Sequence, residues 1–171
     1  LYDGFISDWK APTTAPVKKD PSIAEFYEIL GTNGNDQITY ISDVPVNVRV
    51  TALDGNDTID VAGSGGNDVI YGGLGDDTIS TGVGDDFIDS GAGADTINAG
   101  AGADTITVSS AIDTLDVGAA GDVDNIITTA TASTNYFNVS NFAVAEDTID
   151  LNSTVLSDDG VLSFPTINIT A

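Results

Sequence analysis

The sequence contains no cysteine and no histidine, and only four basic residues. Without cysteine there is no disulfide to staple the fold and no thiolate nucleophile. Without thiol or imidazole there is no ordinary zinc or copper site and no Ser-His triad. The four bases (Lys10, Lys18, Lys19 and Arg49) all fall in the first 49 residues. No basic patch is available to release counterions from phosphate, so nucleic acid is excluded as a partner. No apolar run approaches the roughly 18 residues that suggest a membrane span, and no secretory signal opens the chain. Membrane insertion is not expected. The start at Leu1 suggests a processed product or a piece of a longer chain.

What the chain does have is acid. Its 171 residues carry 27 acids and a formal charge of -23. Of these acids 24 are Asp, and beyond Arg49 there are 20 acids and no base. Asp competes with helices through side-chain-to-backbone hydrogen bonds, so this excess points to turns and to oxygen ligands. Carboxylate, amide and carbonyl oxygens are the ligand set of hard cations.

The first 30 residues differ in composition. Residues 10–20 read as an extended linker. In the segment that follows, Asp20 can cap a helix, Pro21 suits its first position and Gly31 its stop. Ile23, Phe26, Tyr27 and Leu30 share one helical face, which predicts a short helix over 21–30 that could cover the open end of a repeat array.

The array begins at Gly63 with five contiguous nine-residue units: GSGGNDVIY, GGLGDDTIS, TGVGDDFID, SGAGADTIN and AGAGADTIT. The fourth position is always Gly (Gly66, Gly75, Gly84, Gly93, Gly102) and the sixth always Asp (Asp68, Asp77, Asp86, Asp95, Asp104). The eighth is always Ile (Ile70, Ile79, Ile88, Ile97, Ile106). Partial units occur at 31–39, 52–60 and 108–116. Six residues rich in Gly, Asp and Asn make a turn, and x-Ile-x makes a very short strand with Ile facing inward. Two such units form an eighteen-residue coil. Stacked coils place Asp68, Asp86 and Asp104 on one edge and Asp77, Asp95 and Asp113 on the other. One inward apolar residue per half-coil is too little to hold the array alone. Neighbouring carboxylates about one strand spacing apart, roughly 4.8 Å, repel by about 1 kcal/mol per pair even in water. A divalent cation between successive turns reverses that sign. Calcium suits the role best because it accepts many oxygen ligands in flexible geometry.

These units resemble the nonapeptide GGxGxDxUx of RTX (repeats-in-toxin) proteins, a calcium-binding repeat. The resemblance implies an all-β fold: a right-handed parallel β-roll over 31–116, with the linker and short helix over 1–30 before it. Residues 117–171 are expected to add C-terminal strands that cap the roll and a possible export-signal region. It also implies several calcium ions, held by the sixth-position acids Asp36, Asp57, Asp68, Asp77, Asp86, Asp95 and Asp104, by Asp113, and by carbonyls of turns around Gly66, Gly75, Gly84, Gly93 and Gly102. Asn56, Asn67, Asp76 and Asp85 at the fifth position are expected to add side-chain oxygens. Ala94 and Ala103 depart from that pattern, so the later sites should be poorer in ligands. Thr81, Ser90 and Ala99 replace the first-position Gly and should make bulkier turns. Strand propensity is reason enough for an outward row of Thr78, Thr96 and Thr114.

The paired acids Asp76-Asp77 and Asp85-Asp86 sit in repeated turns, which favours metal ligation over a glycosidase couple, and catalysis is not expected. The resemblance points to a secreted, extracellular or cell-surface module of a type I-secreted surface layer or adhesin. Its partners would be calcium, copies of itself or other surface components. The alternatives are the non-catalytic C-terminal module of a secreted hydrolase or epimerase, and a toxin's repeat domain.

Overall fold

Alternation of buried residues with more exposed ones, at period two, runs through the strands between Val48 and Thr128. The structure, a computed structural model, describes residues 26–109, 111–118, 121–129, 136–151, 155–156, 162–163 and 166–170. The linker expected at 10–20 lies outside them. The chain opens with β1 (Phe26–Leu30) and the 18-residue β2 (Gln37–Asp54). The repeat units supply β3 (Thr58–Gly65), β4 (Val69–Leu74), β5 (Thr78–Val83), β6 (Phe87–Ala92) and β7 (Thr96–Ala101). Then come β8 (Thr105–Val108), β9 (Thr114–Asp116), β10 (Asn125–Thr128), β11 (Tyr136–Ser140) and β12 (Thr148–Leu151). A short antiparallel pair, β13 (Val155–Leu156) with β14 (Leu162–Ser163), precedes β15 (Thr166–Thr170).

Successive strands alternate between two parallel ladders. One runs β2-β3-β5-β7-β9-β11-β15, the other β1-β2-β4-β6-β8-β10-β12, and the long β2 belongs to both. The fold is a parallel β-roll, and the ladders continue past residue 116 through β10, β11 and β12.

Between the ladders lies the core. Ile59, Ile79, Ile97 and Leu115 stack in register in one ladder, and Val50, Ile70, Ile88, Ile106 and Ile126 in the other, all buried. Each half-coil has a second inward position two residues further on. Val61, Thr81, Ala99 and Val117 fill it in the first ladder, and Ala52, Gly72, Ser90, Val108 and Thr128 in the second. Thr81, Ser90 and Ala99 are therefore not the bulkier turn residues expected: they are fully buried and limit how far the sheets can close. Strands β4 to β7 are also six residues long instead of three, because pairing extends into the glycines that follow.

The helix expected over 21–30 is not formed at Phe26–Leu30, which pairs with β2 in parallel from Phe26↔Asn47 to Leu30↔Thr51; residues 21–25 lie outside the described set. A ladder partner twenty-one residues away outweighs the local helical spacing, and Ile29 packs on the core while Leu30 stays exposed. On the outside, Thr58, Thr78, Thr96 and Thr114 form an exposed row on one face. The other face carries an aromatic contact between Tyr71 and Phe87, with ring centroids 6.1 Å apart.

Candidate metal centre

Each sixth-position Asp sits immediately before a strand, two residues ahead of an inward Ile or Leu, so its side chain also turns inward. The stacking brings these acids into two files. Asp36, Asp57, Asp77, Asp95 and Asp113 form one. Asp68, Asp86 and Asp104 form the other, which Asp124 and Asp147 extend. Within each file the backbone N–H of one Asp donates to Oδ1 of the Asp one coil later, at 2.7–3.0 Å. The second file starts beside Val48, whose N–H donates to Asp68 Oδ1 at 2.7 Å.

Asp124 and Asp147 were missed because a nine-residue frame does not reach them: they lie 20 and 23 residues after their predecessors instead of 18. A signal independent of phase does reach them. Asp-x-Ile or Asp-x-Leu occurs at every member of both files, including Asp124-Asn-Ile126 and Asp147-Thr-Ile149.

The fifth-position side chains form a parallel pair of outer files. Asn56 Oδ1 accepts the Asp76 N–H, Asn67 Oδ1 the Asp85 N–H, Asp76 Oδ1 the Ala94 N–H and Asp85 Oδ1 the Ala103 N–H, at 2.8–3.1 Å. These oxygens thus serve the coil that follows. Ala94 and Ala103 still supply the donor they owe, and lack only an acceptor for the next coil. At Gly102 that next coil contributes Asp122, whose Oδ2 accepts the Gly102 N–H at 3.0 Å.

The fourth-position glycines let the coils stack this closely. A Cβ on Gly93, where φ is +143°, would stand 2.0 Å from the Gly75 carbonyl oxygen. Gly66, Gly75, Gly84 and Gly102 make equally close approaches to a carbonyl of the preceding coil.

The inner acids are almost wholly removed from water. Asp57, Asp68, Asp77, Asp95, Asp104 and Asp113 are each 1% exposed. At Asp57, Asp77, Asp86, Asp95 and Asp104 the second oxygen, Oδ2, is buried with no hydrogen-bond partner. The Thr81 hydroxyl beside Asp86 donates to Ala99 O at 2.7 Å; it and the Ser90 hydroxyl beside Asp95 each pull their neighbour's pKa down, but neither reaches hydrogen-bond geometry to Oδ2. Beside Gly72, the Asp77 Oδ2 and the Ser90 carbonyl oxygen lie 2.6 and 2.3 Å from where a Cβ would stand. Two buried oxygens thus share the space that a side chain would fill.

Burial is the main force on these carboxyls, and it pushes their pKa values up against the opposing pull of the backbone N–H donors. Asp104 rises to about 7, and Asp68, Asp77, Asp113 and Asp124 to about 6. Asp57, Asp86 and Asp95 are raised for the same reason. Neighbouring carboxylates add to the rise, as Asp86 and Asp124 do at Asp104. A buried oxygen with no donor is costly for a protein and fitting for a cation. Among the described residues no three carboxylates converge on one point, so the donor set on offer mixes carboxylate with backbone carbonyl. That mixture suits calcium, which takes six to eight oxygens of either kind.

No curated protein and no solved structure matches the chain. The family model for the RTX calcium-binding nonapeptide repeat (4 copies) matches residues 51–88, 62–97 and 80–115, overlapping windows that follow the two files of aspartates. The chain therefore carries the calcium-binding nonapeptide repeats of the RTX family, and those repeats bind Ca2+.

Proposed function

We propose that calcium is held along the two inner files by Asp57, Asp77, Asp86, Asp95 and Asp104 together with turn carbonyls, and that the ions staple the coils of an extracellular structural module. The observation that carries this reading is the set of five buried Oδ2 atoms without a partner, in a chain with no base beyond Arg49. Bound calcium supplies the positive charge that the protein itself lacks. The Asp Oδ1 atoms keep the coils in register through backbone N–H groups, and the glycines bring successive carbonyls close.

The finer role is a unit of a type I-secreted surface layer or adhesin, where calcium also mediates contacts between copies. Acidic faces of a chain charged at -23 repel one another without a cation between them. The supporting features are the missing Cys and His, and a Thr-, Ala-, Gly- and Asp-rich composition. The test is light scattering and electron microscopy of the purified protein across a calcium titration. Reversible, ordered, calcium-dependent assembly is expected. A protein that binds calcium but stays monomeric at saturation would shift the role to the module of a secreted hydrolase or toxin.

A further inference from the structure

The aspartates of the two files are not equivalent at Oδ2. Asp36 opens one file, and its Oδ2 accepts both the backbone N–H of Thr32, at 2.6 Å, and the Thr32 hydroxyl, at 3.1 Å. Asp68 opens the other, and its Oδ2 accepts the Ser64 hydroxyl at 2.5 Å. Asp147 stands furthest along that second file, and its Oδ2 accepts the Ala143 N–H at 2.6 Å. In all three the donor lies four residues earlier.

At the five inner aspartates with an unpartnered Oδ2, the residue four places earlier is Leu53, Gly73, Gly82, Gly91 or Gly100, and every one has positive φ, from +85° to +118°. Thr32, Ser64 and Ala143 do not. The left-handed conformation and the lost hydroxyl go together: four of the five inner turns have a glycine there, with no side chain to offer. Ser64 is well set for its role, since its oxygen also lies 3.5 Å from the donating N–H of Gly66 while its proton goes to Asp68. Asp57, Asp77 and Asp104 have no hydroxyl five residues earlier either, where Ala52, Gly72 and Ala99 stand; Asp86 and Asp95 have Thr81 and Ser90 there, but Thr81 donates to Ala99 O and neither hydroxyl bonds to Oδ2.

We infer that at Asp36, Asp57, Asp68, Asp77, Asp86, Asp95, Asp104 and Asp147 the residue four before the aspartate decides whether the turn takes an ion, and that the self-satisfied turns at Thr32-Asp36, Ser64-Asp68 and Ala143-Asp147 take none; at Asp113 the hydroxyl four before, on Ser109, goes instead to the Gly91 carbonyl. This rests on the calcium reading of the inner files. The Thr32 and Ser64 hydroxyls then do at the file ends what the cation does within. The end turns are built before calcium arrives and offer ordered edges on which the inner coils add.

The test is the calcium count of the full chain at saturation, by equilibrium dialysis, in the parent, Ser64→Ala and Ser64→Thr. Ser64→Ala leaves Asp68 Oδ2 without its hydroxyl donor and should bind one ion more than the parent, whereas Ser64→Thr should keep the parent's count. General destabilisation changes the calcium midpoint but does not add an ion. An unchanged count in Ser64→Ala would overturn the inference while leaving the calcium reading intact; a parent that binds no calcium would overturn both. Amide exchange of the parent during a calcium titration decides the matter independently, even if Ser64→Ala does not fold. The Val48 amide, bonded to Asp68, should be protected at lower calcium than the Asp77 amide, bonded to Asp95. Simultaneous protection would overturn the inference.

Discussion

At Asp104 the residue-scale forces oppose one another most plainly. Its Oδ1 accepts the Asp86 N–H at 2.9 Å, its Oδ2 has no partner, and burial lifts its pKa to about 7. The residue just before it, at the fifth position of its unit, is Ala103, which on sequence grounds makes this a weak position. The structure argues the other way, because fifth-position Oδ1 atoms bond to the next coil's N–H. Asp104→Asn should therefore lower calcium affinity about tenfold or more, the equivalent of 1.4 kcal/mol, and no less than Asp86→Asn does; calorimetric titration of both variants checks this. The pKa shifts also set a pH dependence. Folded-state values of about 6 to 7 stand above the unfolded 3.8, so without calcium the folded coil binds more protons than the unfolded chain. That contribution is fully present below pH 3.8 and is lost as pH rises through about 6 to 7. In chelator, circular dichroism should show β-structure gained on acidification from pH 8 to pH 4. With calcium present the dependence reverses: protons compete for the same oxygens, so more calcium is needed as pH falls below that range.

At the scale of the element, stacking makes equivalent positions of the repeat unequal. Gly93 and Gly34 both occupy the fourth position of a unit, two residues before an Asp. A Cβ on Gly93 would meet the Gly75 carbonyl at 2.0 Å in a positive-φ turn, whereas on Gly34 the nearest atom is Thr32 Oγ1 at 3.9 Å. Gly93→Ala should cost at least about 1 kcal/mol of stability in saturating calcium, and Gly34→Ala should be close to neutral in the same thermal melt. The inward file behaves as an ordinary core. Ile97 is 1% exposed and pairs with Ile79 and Leu115 in the ladder. Ile97→Ala should cost about 2–5 kcal/mol, read as a lower denaturant midpoint in calcium.

For the whole molecule, two narrow ladders and a thin core of two inward positions per half-coil must hold a chain charged at -23. The described residues contain one ion pair, Arg49 with Glu28, and it is solvent-exposed. Such pairs contribute little, so cations must offset the repulsion along the files. Removing calcium by chelation at low salt should abolish most of the β-sheet circular dichroism, and millimolar calcium should restore it. Magnesium should substitute poorly because it demands a stricter octahedron. Secondary structure unchanged by chelation at neutral pH would contradict the role assigned to the ion.

The period of nine, the recurring Asp and Ile of each unit and the near absence of bases were enough, without coordinates, to imply a stacked solenoid with acids on two edges and a hard cation between them. The resemblance to RTX repeats implied that it is a parallel roll. Such features are legible because they are local: a turn of Gly, Asn and Asp and a strand of Ile are specified within one repeat. Whatever depends on a partner a full coil away was decided by the tertiary structure. Phe26–Leu30 became a strand because β2 offered it a ladder, and Thr81, Ser90 and Ala99 turned out to be core because the strands run on into the glycines. Asp124 and Asp147 joined the file across intervals of 20 and 23 residues, since hydrogen-bond register tolerates extra residues between coils that a sequence frame does not. The difference between an Asp closed by Ser64 and one left open at Gly100 lies in the φ of a single residue, which composition alone does not specify.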